Sequence, residues 1–406
     1  RAIVVAIFLP RYFQGSLFTA YEVLEKRFGA ATRRASSALF LVTRNLGDGL
    51  RLFLAGLVLQ TLLGWSFAWS IVVMGVVTII YTVVGGLRSV VWNDCIQFVI
   101  YMLGGIAAVF VLAGKIPGGF DEVISYASTH NKLNPFDFHF QLSNPFTFWA
   151  GLIGGAVLTI GTHGTDHMMV QRYLSAKDLK DAGKATFASG IVVFIQFALF
   201  LFIGIELACF YSQPGNTAPE KPDQVFIHFI VNYFPANVGL IGLMLAAVLS
   251  AAMSTLSSSL NASASAVLND FWIPLSVQKP TDKQQLRISH GLTLFFGIVQ
   301  MIVGIFASQL SMTVVKGALT IAGFSAGLLL GIFLLGVFSK RAGQASALIG
   351  SIVGLLVLLI VQFGLPKDWA VAWPWLALIG ASVTWTVGEA TAIFIPQKPS
   401  LEPTAS

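Results

Sequence analysis

Residues 246–270 read AAVLSAAMSTLSSSLNASASAVLND and carry the densest chemistry in the chain. Ser250, Ser254, Thr255, Ser257, Ser258, Ser259, Ser263 and Ser265 place eight hydroxyls in sixteen residues of an otherwise apolar run. Hydroxyl and carbonyl oxygens are hard ligands, suited to Na⁺ rather than to a transition metal. On a helix, Ala251, Ser254, Thr255 and Ser258 share one face. Ser and Thr compete for nearby carbonyls, so the same face could also supply a freed backbone carbonyl. Close helix packing is the alternative, because small residues let membrane helices approach each other.

Ionisable groups inside apolar runs are the other candidates. Asp94 stands in VVWNDCIQF, where a loop enters an apolar run, and reads either as a helix N-cap or as a cation ligand. Asp48 and Arg51, in NLGDGLRLF, are three apart on one helix face. They neutralise each other, or Arg51 meets a carboxylate or gates a pathway. Asp166 follows TIGTHGT, where Gly161 and Gly164 with Thr162 and Thr165 weaken a helix. A discontinuous span is expected there, and broken helices at membrane depth line cavities. His163 and His167 lack a third ligand, so no transition-metal site is expected. Glu206 and Lys316 lie toward span ends and are expected to snorkel. Glu389, in VGEATA, has no evident role. The chain shows no nucleophile–His–acid set and no GxxxxGK[ST] motif, so neither an enzyme nor an ATP-driven pump is expected.

The elements that must hold these residues are membrane helices. The 406 residues are 56% hydrophobic and only 10% charged, with a mean hydropathy of +0.79. A soluble domain carries about 25% charge. An all-α polytopic membrane protein is expected, as a single transmembrane domain over 1–406. Spans need about 20 apolar residues. They read as 38–63, 67–86, 92–114, 147–170, 186–211, 238–268, 288–309, 314–338, 343–364 and 372–395, preceded by the tail of another at 2–10. The chain opens inside an apolar run without an initiator Met, so an N-terminal segment is expected to be missing. Cys95 and Cys209 fall at opposite ends of their spans, and no disulfide is expected.

Lys and Arg set the orientation. Alternation from a cytoplasmic 11–37 puts sixteen cations inside, among them Arg33, Arg88, Arg172, Lys340 and Lys398. Four fall outside: Lys115, Lys132, Lys221 and Lys367. The net charge of +6 thus reflects membrane orientation, not nucleic-acid binding. Residues 20–29, AYEVLEKRFG, form an amphipathic helix expected to lie on the inner membrane surface.

The chain resembles the sodium–solute symporters, the family that includes the sodium–sugar cotransporters. The stretches that carry the resemblance are FLPRYF with AYEVLEKRFG, YTVVGGLRSVVWNDCIQ, TDHMMVQRYLSAKD, AAMSTLSSSLNASAS and FLLGVFSKR. It implies a LeuT-type core of inverted repeats with extra C-terminal helices, the first core helix lying upstream of Arg1. It implies Na⁺ as coupling ion, with a first site at Ala251, Ser254 and Thr255. A second Na⁺ site is implied at Asp94, Ser257 and Ser258. Solute-facing positions fall on Gly47, Asp48, Arg51, Thr165, Asp166 and Leu319. Val193 and Leu319 stand where sugar-carrying members have lysine and glutamine, which departs from a sugar pocket.

The function implied is Na⁺-coupled symport of a small polar organic solute, such as a sugar, polyol, sialic acid or other carboxylate, by alternating access. The location implied is the plasma (inner) membrane. Proton coupling through Asp94 or Asp166 and a transporter-derived sensor are the alternatives. A channel lacks a repeated filter here. The partners are the solute and the bilayer, and the oligomeric state is not legible.

Overall fold

The computed structural model describes residues 1–14, 17–134, 136–235, 239–309 and 314–395, without the side chains of 86–89, 240 and 367. Arg88 and Lys367, counted above, therefore lie outside the described side chains, and Val238 and Lys398 lie outside the described residues. A π-helical turn, Val4–Phe8, runs into α1 (Leu9–Tyr12). There follow α2 (Glu22–Phe28), α3 (Ala30–Leu63), α4 (Phe67–Lys115), α5 (Gly119–Thr129), α6 (Gly155–Thr165), α7 (His167–Leu174) and α8 (Leu179–Ser212). The remainder is α9 (Val225–Tyr233), α10 (Leu240–Val267), α11 (Ile273–Leu275), α12 (Asp282–Ala307), α13 (Val314–Phe338), α14 (Gln344–Leu359) and α15 (Trp373–Phe394).

Among the described residues, nine helical stretches are long and apolar enough to cross a membrane. They match the expected spans from 38 onward, with one exception. The span expected at 147–170 is divided. α6 ends at Thr165, Asp166 is extended (φ −75°, ψ 125°), and α7 starts at His167. The glycines and threonines around 161–165 set this break: Thr165 turns its hydroxyl back onto the Gly161 carbonyl at 2.7 Å.

The 67–86 and 92–114 spans were expected to be separated by a loop, but the backbone is helical from Phe67 to Lys115. Straight, such a helix would be about 74 Å long, more than twice the hydrocarbon thickness. Its contacts along α10 nevertheless reverse. Ile71 packs with Leu256, Ile79 with Leu260 and Val83 with the cluster that includes Val267. Asp94 then meets Ser254 and Ser258, and Gly104 lies against Ala247 and Met244. α4 therefore makes two passes, and Asp94 sits in helical backbone rather than at an N-cap.

α10 is held between α3, α4 and α12, and its hydroxyls divide by face. Ser259 and Ser263 turn away from Asp94. Gln300 of α12 donates to Asn45 Oδ1 of α3 at 2.9 Å and to Ser259 Oγ at 3.2 Å. Asn45 Nδ2 donates to Ser263 Oγ at 3.3 Å and to the Leu41 carbonyl at 2.7 Å. Interhelical bonds of this kind contribute only about 0.6 kcal/mol each in membranes. On the other side of the fold, α13 crosses α15 and α6 at glycines. A Cβ on Gly327 would stand 2.8 Å from the Ala377 carbonyl oxygen, and one on Gly161 would stand 2.7 Å from that of Ala326.

Three expectations are corrected here. The helix at 20–29 turns its apolar face into the protein rather than leaving it for lipid. Its apolar residues Tyr21, Leu24 and Phe28 are buried in the main core with Phe40 and Phe333. Its acidic face joins an ion network at Arg33, which pairs with Asp270 at 2.7 Å, Glu25 at 2.5 Å and Glu22 at 3.3 Å. Burial pushes the Glu22 carboxyl above its ordinary pKa, although Arg33 opposes the shift. Glu206 does not snorkel: it is fully buried, and neither carboxyl oxygen has a partner among the described residues. Glu389 acquires a setting, since its charge acts on Arg27, which also donates to the Ser339 carbonyl at 2.8 Å. Lys316 is exposed, and Cys95 and Cys209 are both free.

Candidate ion and solute site

The break between α6 and α7 faces the middle of α3, α10 and α13 across a cavity of about 310 Å³. α13 contributes the face Ala318, Ile321, Ala322 and Ser325, which follows helical spacing. Leu319 falls off that face and is not among the lining residues, so the position implied for it is corrected. Gly47 and Arg51 line the cavity from α3, and Thr165 and Asp166 from the break. A Cβ on Gly47 would meet Ile321 at an ordinary 3.9 Å, so the glycine is not forced by space.

Two of these residues are already committed. Thr165 spends its hydroxyl on the Gly161 carbonyl. Asp166 caps α7, accepting from the Met168 amide at 2.9 Å. Such a cap satisfies a helix-end donor and places a carboxylate at the positive end of the dipole. Asp48 is fully buried beneath the cavity rather than open to it. Arg44 pairs with Asp48 at 2.7 Å and approaches Asp166 at 3.8 Å, while Arg51 pairs with Asp48 from the other side. Arg51 keeps 39% of its side chain exposed and shares its one carboxylate with Arg44. A guanidinium has five donors, so among the described residues Arg51 retains unspent donors beside the cavity that it lines.

On α10, Ser254 donates to Asp94 Oδ1 at 2.5 Å and Ser258 to Oδ2 at 3.1 Å. Arg172 of α7 donates to the same Oδ2 at 2.6 Å and to Ser258 Oγ at 2.7 Å. The structure thus brings Asp94 together with Ser254 and Ser258. Ser257 turns elsewhere, donating to the Ser254 carbonyl at 3.2 Å near Tyr81. Thr255 lines the cavity, and its hydroxyl makes no hydrogen bond among the described residues. Ala251 is exposed one turn further along, and α10 continues through it. Among the described residues no side-chain hydroxyl bonds the Ala251 carbonyl. A helical carbonyl still has a second lone pair to offer.

Two residues escaped the reading of the sequence. Arg44 lies four residues before Asp48 within an apolar run, and that spacing was the available signal. Arg172 reads as one more inner cation; no local pattern ties it to Asp94, 78 residues away. Among the described residues, no group of three or more His, Cys, Asp or Glu is placed to hold a metal. An alkali cation on hydroxyls and one carboxylate is a different donor set.

Comparison with known proteins places the chain among sodium-coupled transporters. The bovine sodium-coupled monocarboxylate transporter 2 is 29% identical over 374 residues, covering 91% of this chain and 60% of the relative. The human sodium/iodide cotransporter is 29% identical over 361 residues, covering 88% and 56%. The chain therefore spans less than two thirds of the length of these relatives. A Na⁺-coupled sialic acid symporter, solved in a substrate-bound outward-open state that revealed a novel Na⁺ site, superposes with a TM-score of 0.87. It is 26% identical and covers 98% of this chain and 81% of that one. The LeuT-type fold expected from the sequence is the fold of this chain. Residues 1–354 match the sodium:solute symporter family, and the chain belongs to that family.

Proposed function

We propose that this chain carries out Na⁺-coupled symport of a small polar organic solute, and that the solute bears a carboxylate. The observation that carries the reading is the α10 face. Thr255 offers an uncommitted hydroxyl to the cavity beside a carboxylate cluster of Asp94, Ser254 and Ser258. Hydroxyls do not titrate in the physiological range, so a site rich in them favours Na⁺ over H⁺ as the coupling ion.

Ala251, Ser254 and Thr255 form part of a first sodium site. Three oxygens do not complete a sodium shell, and the reading requires further oxygens beside them. Asp94, Ser254 and Ser258 form a second site, with Ser257 behind it. Arg172 holds that carboxylate in the arrangement described. A sodium ion there must displace the guanidinium, which moves α7 and with it the Asp166 break beside the solute cavity. Occupancy of the ion site thereby biases the solute site, and by linkage the solute raises sodium affinity by the same factor.

Arg51 supplies the case for an anionic solute, since it lines the cavity and among the described residues retains unspent donors. The related proteins include a monocarboxylate transporter and a sialic acid symporter, in agreement with that chemistry. Two sodium ions with one monoanion carry one net positive charge. Transport is then electrogenic, and 100 mV contributes about 2.3 kcal/mol per charge. The plasma membrane is the expected location for such a carrier.

The experiment is uptake into proteoliposomes of monocarboxylates, sialic acids, sugars and polyols, with and without an inward Na⁺ gradient. Carboxylate uptake that requires Na⁺ and disappears in Ser254→Ala/Thr255→Ala is the expected result. Uptake driven by a pH gradient and indifferent to Na⁺ would refute the reading.

A further inference from the structure

The sodium reading uses one face of α10 and leaves its other hydroxyls unexplained. Ser259 and Ser263 are fully buried, as are Asn45 and Gln300, which are 4% and 2% exposed. Every amide hydrogen of this group is engaged. Gln300 Nε2 reaches Asn45 and Ser259, while Asn45 Nδ2 reaches Ser263 and the Leu41 carbonyl. The four side chains tie α3, α12 and α10 together at a single level. α3 and α12 are themselves in close register there. A Cβ on Gly49 would stand 3.1 Å from the Gln300 carbonyl oxygen, and one on Gly304 would stand 3.1 Å from that of Gly49. The Gln300 amide is therefore delivered from a fixed frame.

Ser259 directly follows Ser258, and successive helical residues point about 100° apart. Holding Ser259 consequently fixes the direction of Ser258, Ser254 and Thr255. Apolar contacts tolerate a small rotation of a helix, whereas hydrogen bonds weaken steeply with angle. Turning α10 by ~20° would move its Cα atoms by ~0.8 Å on a radius of ~2.3 Å. Binding constellations tolerate only about 0.5 Å.

We infer that Gln300, acting through Ser259 and Asn45, is a positioning residue that sets the rotation of α10 and thereby the affinity of its Ser254–Thr255–Ser258 face for Na⁺. The inference rests on the sodium reading above. It assigns the second row of hydroxyls a task that packing alone does not require, since apolar side chains of the same shape would fill the space.

The test compares Gln300→Met, which keeps the shape and removes the donors, with Ser259→Ala, which removes the acceptor on α10. Sodium-driven uptake is measured in proteoliposomes as a function of Na⁺, and solute KM is measured at saturating Na⁺. Both variants are expected to raise the half-saturating Na⁺ concentration fivefold or more and to leave solute KM within twofold. A packing role predicts no change in Na⁺ dependence for the isosteric Gln300→Met. Unchanged Na⁺ dependence in either variant, with Na⁺-dependent wild-type uptake, overturns the inference and leaves the symporter reading standing. Sodium-independent wild-type uptake overturns that reading, and this inference with it. If Gln300→Met does not insert, Ser259→Ala alone decides, because its change is one buried oxygen.

Discussion

The Arg172 guanidinium stands 2.6 Å from Asp94 Oδ2 and 2.7 Å from Ser258 Oγ, a tethered cation on the carboxylate that the α10 hydroxyls also hold. Both partners are partly exposed, at 35% and 17% of their side chains, which weakens the pair relative to a buried one. The pair is therefore breakable, as an exchangeable counter-ion must be.

Removing that competitor should strengthen cation binding. In Arg172→Met the half-saturating Na⁺ concentration should fall about fivefold, the equivalent of about 1 kcal/mol. The maximal rate should fall too, because the carboxylate is no longer handed back to the arginine when the ion leaves. Sodium titration of initial uptake rates checks both. Weaker sodium binding in this variant would show that Arg172 supports the site rather than competing for it.

Arg44 has the opposite character. Asp48 is fully buried, and Arg44 and Arg51 hold it from two sides. Arg44→Leu leaves a buried charge with half its compensation, a class of change that costs about 3–5 kcal/mol. A large drop in apparent Tm is expected. Arg44→Leu/Asp48→Leu should recover most of it, because removing both partners of a buried pair is often neutral. Thermal unfolding of the four proteins of this double-mutant cycle is the measurement, and additive losses would show that the two residues are not coupled.

These residues mark where the sequence is legible and where it is not. The Asp166 break was readable because its cause is local: glycines and threonines within five residues weaken the helix. The hydroxyl row on α10 was equally visible, but its division into two faces depends on which helices flank it. Asp94 and Ser254 are 160 residues apart, and only the reversal of α4 along α10 brings them together. Arg172 and Arg44 were hidden by context, one among inner cations and the other within an apolar run. Glu206 was misplaced because Leu207 and Phe210 pack with Val123 of α5 and Phe229 of α9. Those two helices lie in loops that hydropathy treats as mere connections.

Arg51 should decide which solutes are accepted. Arg51→Gln removes the charge and keeps hydrogen-bonding capacity. Hydrogen bonds to charged groups contribute about 1.5–3 kcal/mol, so KM for a carboxylate solute should rise about 10- to 100-fold. Neutral analogues should change little. Arg51→Lys should recover only part of the loss, since an ammonium lacks the planar fork that matches a carboxylate. Uptake competition between a carboxylate solute and its amide reads out the difference. Equal losses for both would remove the argument for an anionic solute.

The cavity also depends on how closely α6 approaches α13. At Gly161 an added Cβ would stand 2.7 Å from both the Ala326 carbonyl oxygen and the Ala326 Cβ, and backbone cannot step aside as a side-chain tip can. Gly161→Ala should therefore separate the two helices, at about 1–3 kcal/mol for overpacking. Gly161 lines the cavity beside Thr162 and Thr165, so the same change should raise solute KM. Gly155 is the internal control. It lies on the same helix, and nothing stands within 4 Å of its added Cβ. Gly155→Ala should be neutral or stabilising by a few tenths of a kcal/mol, because alanine reduces the freedom of the unfolded chain. Measured side by side, a Tm loss confined to position 161 and accompanied by a higher KM would tie the solute cavity to this helix crossing. Equal effects at 155 and 161 would instead mean that any loss of glycine flexibility in α6 matters, and the crossing would lose its special role.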